Sequence, residues 1–248
     1  MGNDRRSYTR ICKQAEQTKM KEIKTEKFNF QATKSSGKVS AVLMKPEEIK
    51  YFLVLAHGAG AGMNHPFMEM LSFKLAEKNF AVFRYQFPYF EKGKRSPDPP
   101  NILTATVRSA VETAFKSSNG LPLFAGGKSL GGRMTSTAAS QEALPEVKGI
   151  IFFGFPLHAP NKPSSNRADH LFNVNIPMLF LQGTRDKLAD LNLLKPVIIK
   201  LNKKAELKII EGADHSFHVL KSSGKTDEQV IEVLAETASK WAEKIKNL

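Results

Sequence analysis

From Tyr51 onward the chain alternates short apolar runs with longer amphipathic stretches, and that alternation leaves few architectures open. Tyr51-Phe52-Leu53-Val54-Leu55-Ala56 is continuously apolar, as expected of a strand covered on both faces. Residues 67–78 then read as a helix and Phe80-Ala81-Val82-Phe83-Arg84-Tyr85 as a strand. A helix over 102–116 places Ile102, Val107, Ala110, Val111 and Ala114 on one face. Strands are predicted over 121–125, 149–153, 178–181 and 205–210, and helices over 130–141 and 188–200. An amphipathic helix over 227–246, carrying Val230, Ile231, Val233, Leu234 and Trp241, closes the chain. Upstream, Phe28-Asn29-Phe30-Gln31-Ala32-Thr33 and Val39-Ser40-Ala41-Val42-Leu43-Met44 flank Ser35-Ser36-Gly37 and read as a hairpin.

Such alternation predicts an α/β class: a mostly parallel sheet with helices on both faces, and the loops that follow its strands gathered along one edge. Residues 1–27 are polar and mostly charged and form an N-terminal extension, leaving 28–248 as a single domain. Two Pro-rich loops, 88–100 and 156–163, follow predicted strands and border the same edge. Neither is long enough for a large separate lid.

The 248 residues, 41% of them hydrophobic, suffice for one such domain with a substantial core. No run of eighteen apolar residues is present, so no membrane span is expected. Met1-Gly2-Asn3-Asp4-Arg5-Arg6 has no apolar segment behind its charges, and Arg6 stands where a myristoylation signal wants Ser or Thr. Cys12 is the single cysteine, so no internal disulfide forms, which suits a reducing cytoplasm. The net charge of +13 comes mainly from scattered lysines. In the extension, Arg5, Arg6, Arg10, Lys13, Lys19, Lys21 and Lys24 are interleaved with Glu16, Glu22 and Glu26. A nucleic-acid footprint would be single-signed with aromatic residues between the charges, so the pattern favours a solvated surface.

The apolar run 121–124 leads into Ala125-Gly126-Gly127-Lys128-Ser129-Leu130-Gly131-Gly132-Arg133. Gly127-Lys128-Ser129-Leu130-Gly131 is G-x-S-x-G, which sets a serine on a sharp strand-to-helix turn. Gly127-Lys128-Ser129 also resembles the end of a phosphate-binding loop, but that motif needs a glycine at 122, where Pro122 stands, and Gly120 is misplaced. Acyl transfer by serine needs a base, an acid that orients it, and donors for the oxyanion. The post-strand loops supply candidates in the order Ser, Asp, His: Gln182-Gly183-Thr184-Arg185-Asp186 and Glu211-Gly212-Ala213-Asp214-His215-Ser216-Phe217. The strand ending at Ala56 runs into His57-Gly58-Ala59-Gly60, a turn able to bare a backbone N–H.

These motifs resemble the α/β-hydrolase superfamily over residues 28–248, and within it the small, lid-poor, dienelactone-hydrolase-like branch. The resemblance implies a three-layer α/β-hydrolase fold with a minimal lid. It implies Ser129 as nucleophile, His215 as general base, Asp186 as orienting acid, and the backbone N–H groups of Ala59 and Leu130 as the oxyanion hole. Dienelactone hydrolases proper use cysteine, so Ser129 points to esters, thioesters or related small acyl substrates rather than that lactone reaction.

Asp190 and Asp214 compete with Asp186, and His218 competes with His215. His57 reads as a brace for its loop. His65, His158 and His170 lack metal-ligand spacing, so no metal or other cofactor is expected. Phe87, Tyr89, Phe155 and His158 stand on post-strand loops and are the candidate acyl pocket. Lys128 and Arg133 flank the serine, either as helix-surface groups or as a positive rim favouring anionic substrates. The alternative to catalysis is a hydrolase-fold interaction or regulatory protein working through its basic surface. Peptide hydrolysis is a weaker option, because a gating domain is absent.

Overall fold

A computed structural model describes residues 22–246. An eight-stranded sheet comprises β1 (Ile23–Thr33), β2 (Gly37–Pro46), β3 (Tyr51–Ala56), β4 (Phe80–Tyr85), β5 (Leu123–Lys128), β6 (Val147–Phe153), β7 (Met178–Gly183) and β8 (Ala205–Ile210). Its spatial order is β1-β2-β4-β3-β5-β6-β7-β8. β1, β2 and β4 pair antiparallel, and every pairing from β4 to β8 is parallel. The helices are α1 (Pro66–Glu77), the single turn α2 (Pro88–Glu91), α3 (Pro100–Ser117), α4 (Leu130–Gln141), α5 (Leu191–Leu201) and α6 (Asp227–Ile245).

The two-faced burial expected of β3 holds, and its pleat divides the core. Phe52, Val54 and Ala56 join one cluster with Val107 of α3, Met134 of α4 and Leu194 of α5. Tyr51, Leu53 and Leu55 join the other with Leu71 of α1 and Leu234 of α6. Successive side chains of a strand point to opposite faces, so a run without polar positions needs helices on both. The result is a three-layer fold with a mostly parallel sheet and, among the described residues, no lid domain.

Three departures from the sequence reading have physical causes. β1 begins at Ile23, ahead of Phe28, because its polar first residues pair with β2 as far as Ile23↔Pro46. Residues 1–21 of the extension, Cys12 included, lie outside the described residues. β5 continues past Ala125 through both glycines to Lys128, since ladders to β3 and β6 hold it on each side. The first Pro-rich loop contains α2, and the second is followed by a 3₁₀ segment over Asn166–Asn173. Proline at a first helical position lacks only an N–H that would have had no intrahelical partner, and Pro66, Pro88 and Pro100 all stand there.

β3 has β4 on one side and β5 on the other, so the chain reverses its direction of strand addition there. The crevice beyond the carboxyl ends of β3 and β5 is where such sheets bind ligands.

Candidate active site

Ser129 occupies the turn from β5 to α4 with φ +51° and ψ −115°. A non-glycine residue in this region is strained, and neighbours must hold it there. The close approach of elements dictates the flanking glycines: a β-carbon on Gly127 or on Gly131 would come within 2.4 Å of the Ala56 carbonyl oxygen. The turn therefore clamps β5 and α4 against the end of β3 and lifts the serine hydroxyl into the crevice.

There the hydroxyl donates to His215 Nε2 at 2.8 Å. His215 Nδ1–H donates to Asp186 Oδ2 at 2.7 Å, a direction required because a carboxylate only accepts. The Asp186 carboxylate is 1% exposed. It also accepts the Leu188 N–H at 2.7 Å and the side-chain amide of Gln182. Gln182, fully buried at the end of β7, accepts the Phe155 N–H through its Oε1 at 3.0 Å. It thus ties the acid to the loop after β6. Its sequence signal was a lone amide at the end of an otherwise apolar strand.

The competing side chains have other duties. Asp190 caps α5 by accepting the Asn192 N–H at 2.8 Å. Asp214 closes its own turn, accepting the Ser216 and His218 N–H groups. His218 is exposed and paired with Asp227 at 2.9 Å. The strand-end positions put Asp186 and His215 ahead of these neighbours, which all lie within four residues of them, and the relay joins those two.

Beside Ser129 opens a cleft of about 340 Å³, lined by Ala59 and Ala61, by Phe67 and Met68 of α1, and by Leu188 and Ser216. Leu130 is the first residue of α4, where an N–H has no acceptor within its helix. Gly58 packs close to Ser129, its β-carbon position lying 3.7 Å from Ser129 Cβ. Ala59 and Leu130 thereby flank the serine from β3 and α4.

A family model of the alpha/beta hydrolase domain matches residues 49–243. The chain belongs to the α/β-hydrolase family. Its fold is shared with an α/β serine hydrolase without a lid from Xanthomonas campestris, at TM-score 0.70 and 18% identity over 88% of this chain and 95% of that one. A dienelactone hydrolase from Anabaena variabilis matches with TM-score 0.67 and 18% identity, covering 90% and 99%. The esterase domain of a Rhodothermus marinus protein matches with TM-score 0.67 and 16% identity, covering 89% and 98%.

In this α/β-hydrolase domain the four residues expected to form an acyl pocket do not line the cleft. Phe87, Tyr89 and Phe155 are fully buried and His158 nearly so. Phe87 lies 5.0 Å from the His57 ring and donates its N–H to His57 Nε2 at 3.0 Å. Tyr89 donates its hydroxyl to the Ala59 carbonyl at 2.9 Å. Phe155 packs on Phe152 and Phe180. His158 bonds the Ala159 carbonyl and accepts the Asp190 N–H, both at 2.9 Å. These side chains turn inward because their loops fold back over the sheet, and they brace the segments that carry Ala59 and Asp186. The apolar wall comes instead from Phe67 and Met68, in the first turn of α1.

His57 is a brace as well. Its Nδ1 lies 2.7 Å from the Gly58 carbonyl, and burial lowers its pKa to about 4, keeping the ring neutral. Among the described residues no group of three or more His, Cys, Asp or Glu is placed to hold a metal. No helix among them is long and apolar enough to cross a membrane.

Proposed function

We propose that this protein is a serine hydrolase that cleaves a small ester, thioester or related acyl compound through an acyl-enzyme on Ser129. The supporting observation is the continuous relay from Ser129 Oγ through His215 to buried Asp186, at 2.8 Å and 2.7 Å. His215 Nε2 takes the hydroxyl proton as Oγ attacks the acyl carbonyl, and Asp186 holds the imidazolium that forms. The Ala59 and Leu130 N–H groups hold the tetrahedral oxyanion, each contributing about 3 kcal/mol to the transition state. His215 then returns the proton to the departing alcohol or thiol. Water, deprotonated by His215, attacks the ester carbonyl on Ser129 and releases the acid with regeneration of the hydroxyl. A cleft walled by Phe67, Met68 and Leu188 suits a short apolar acyl or alcohol portion.

The test is labelling with a fluorophosphonate probe, comparing the native chain with Ser129→Ala, followed by a panel of 4-nitrophenyl esters of increasing acyl length. Labelling of the native chain alone is expected. An unlabelled native chain would favour the interaction-protein alternative, and a label that persists in Ser129→Ala would remove Ser129 as the nucleophile.

A further inference from the structure

Apart from the relay itself, the cleft beside Ser129 is apolar except at its mouth. Its exposed side chains are those of His65 and Ser216, and Phe67, Met68 and Leu188 form the wall behind them. Lys128 offers only its stem, because its Nζ is buried. A ligand in the cleft therefore meets no accessible ammonium. Sites of this kind orient their ligands through a few placed polar groups on an apolar wall.

His65 is held in one orientation. It is the N-cap of α1, with φ −63° and ψ 140°, the extended backbone that the following Pro66 favours. Its Nδ1 accepts the Phe67 N–H at 3.2 Å. A ring nitrogen that accepts carries no proton, so the imidazole proton sits on Nε2, which has no hydrogen-bond partner among the described residues. On the facing loop, Asp214 Oδ1 accepts the N–H groups of Ser216 at 2.8 Å and His218 at 3.0 Å and fixes the turn. The Ser216 hydroxyl is left without a partner among the described residues. A ring stack presses the two segments together: Phe67 and Phe217 lie 5.8 Å apart between centroids with their planes within 9°. Phe217 is buried at φ +64°, a strained backbone for a bulky residue, which its packing must hold. The stack joins the residue two after His65 to the residue next to Ser216, so the two donors stand at adjoining edges of the same cleft.

We propose that His65 and Ser216 form a substrate-recognition lip, at which His65 Nε2–H and the Ser216 hydroxyl donate to a neutral keto or ether oxygen carried by the substrate outside its scissile ester. The inference rests on reading Ser129 as the nucleophile and narrows its substrates to short oxygenated esters. The acceptor is neutral because neither donor is charged while His65 caps α1, and a carboxylate would find no accessible cation in the cleft. Phe67, Met68 and Leu188 take the carbon chain of such a compound.

The experiment compares two pairs of esters matched in size. Ethyl pentanoate and ethyl 4-oxopentanoate differ by a keto oxygen on the acyl side. Butyl acetate and 2-methoxyethyl acetate differ by an ether oxygen on the alcohol side. Acid release by the full-length chain is followed at constant pH, and each pair's kcat/KM ratio is divided by its ratio of alkaline hydrolysis rates. The native chain is expected to favour the oxygenated ester of one pair by about fivefold, the size of one net neutral hydrogen bond. Whichever pair shows the preference tells on which side of the scissile bond the lip acts. His65→Ser and Ser216→Ala should each reduce that preference, through KM. Serine keeps an acceptor for the cap, so His65→Ser should unfold at a similar urea midpoint, which separates substrate contact from capping. In a second arm, Ser129→Ala protein is titrated with the same four esters by ligand-observed NMR, and the same preference is expected in Kd. Equal binding of both members of each pair, or a preference that survives both substitutions, overturns the lip, and hydrolysis of any of the esters then leaves the Ser129 reading standing. Preferential binding of an oxygenated ester by a protein that hydrolyses none of the four with Ser129 in place upholds the lip and overturns the Ser129 reading.

Discussion

Lys128 Nζ lies over the ring of Phe217, 5.7 Å from its centroid, although the stem of the same lysine lines the cleft. The usual arrangement is reversed, because long cationic side chains ordinarily bury the stem and leave the charge in water. The buried Nζ has no hydrogen-bond partner, and it sits 3.2 Å from the β-carbon position of Gly154. Burial brings its pKa down to about 8, with Asp186 and Asp214 opposing the shift.

Lys128 should therefore be a stability cost at neutral pH. Between about pH 8 and the ordinary lysine value the unfolded chain binds this proton more readily than the folded one, so the contribution to stability rises with pH across that window. Below it both states are protonated and the penalty is fully present. Lys128→Met is expected to stabilise the fold at pH 7 by about 1–3 kcal/mol, with the gap from the native chain closing as pH rises past 10. Urea unfolding of both proteins at pH 7 and pH 10 measures it, and a gap independent of pH would contradict the assignment.

His57 acts at the other end of the pH scale. Its ring is buried neutral and must take a proton on unfolding in acid, so stability falls as pH drops from about 6.5 toward 4. The loss from this group approaches about 3 kcal/mol at pH 4. His57→Asn should be less stable at pH 7, since the bonds to Phe87 N–H and Gly58 carbonyl are lost, but its decline through that window should be shallower. Thermal melts at half-unit pH intervals test both expectations.

The elbow tolerates no added carbon. Gly127→Ala places a methyl 2.4 Å from the Ala56 carbonyl and 2.9 Å from the Gly131 backbone, where no flexible side chain can give way. A loss of about 3 kcal/mol or more is expected, read as a fall in urea midpoint, with Gly60→Ala as a comparison, where the added methyl meets nothing within 4 Å and the backbone is not left-handed.

Gln182 and Asp186 are separable. Asp186→Asn keeps the shape but cannot hold the same His215 tautomer, and kcat on a 4-nitrophenyl ester should fall by about 10³–10⁴ with KM little changed. Gln182→Met leaves the carboxylate in place but strips the Phe155 N–H of its acceptor. It should cost about 1–3 kcal/mol of stability and a smaller share of kcat. Steady-state kinetics beside unfolding midpoints distinguishes the two effects.

The legibility of the site follows from how local each signal was. Ser129 could be read because its turn is defined by Gly127 and Gly131 within five residues, and β7 and β8 were clear enough to put Asp186 and His215 on loops at the same edge. Phe87, Tyr89, Phe155 and His158 stood on the correct loops, but loop membership does not say which way a side chain points. The short helix α2, which carries Tyr89 and follows Phe87, was hidden in a Pro-rich stretch.

What the sequence determined on its own was the layered α/β architecture and the chain order of serine, acid and histidine. Both depend on short-range periodicity and on glycines that a few neighbouring residues demand. Tertiary structure alone decided that Phe67 and Met68 rather than the later aromatics wall the cleft, that Gln182 ties Asp186 to the loop after β6, and that Lys128 turns inward. Those outcomes depend on how loops from separate strands settle against one another over the sheet, and burial and hydrogen-bond satisfaction are set there by residues far apart in the chain.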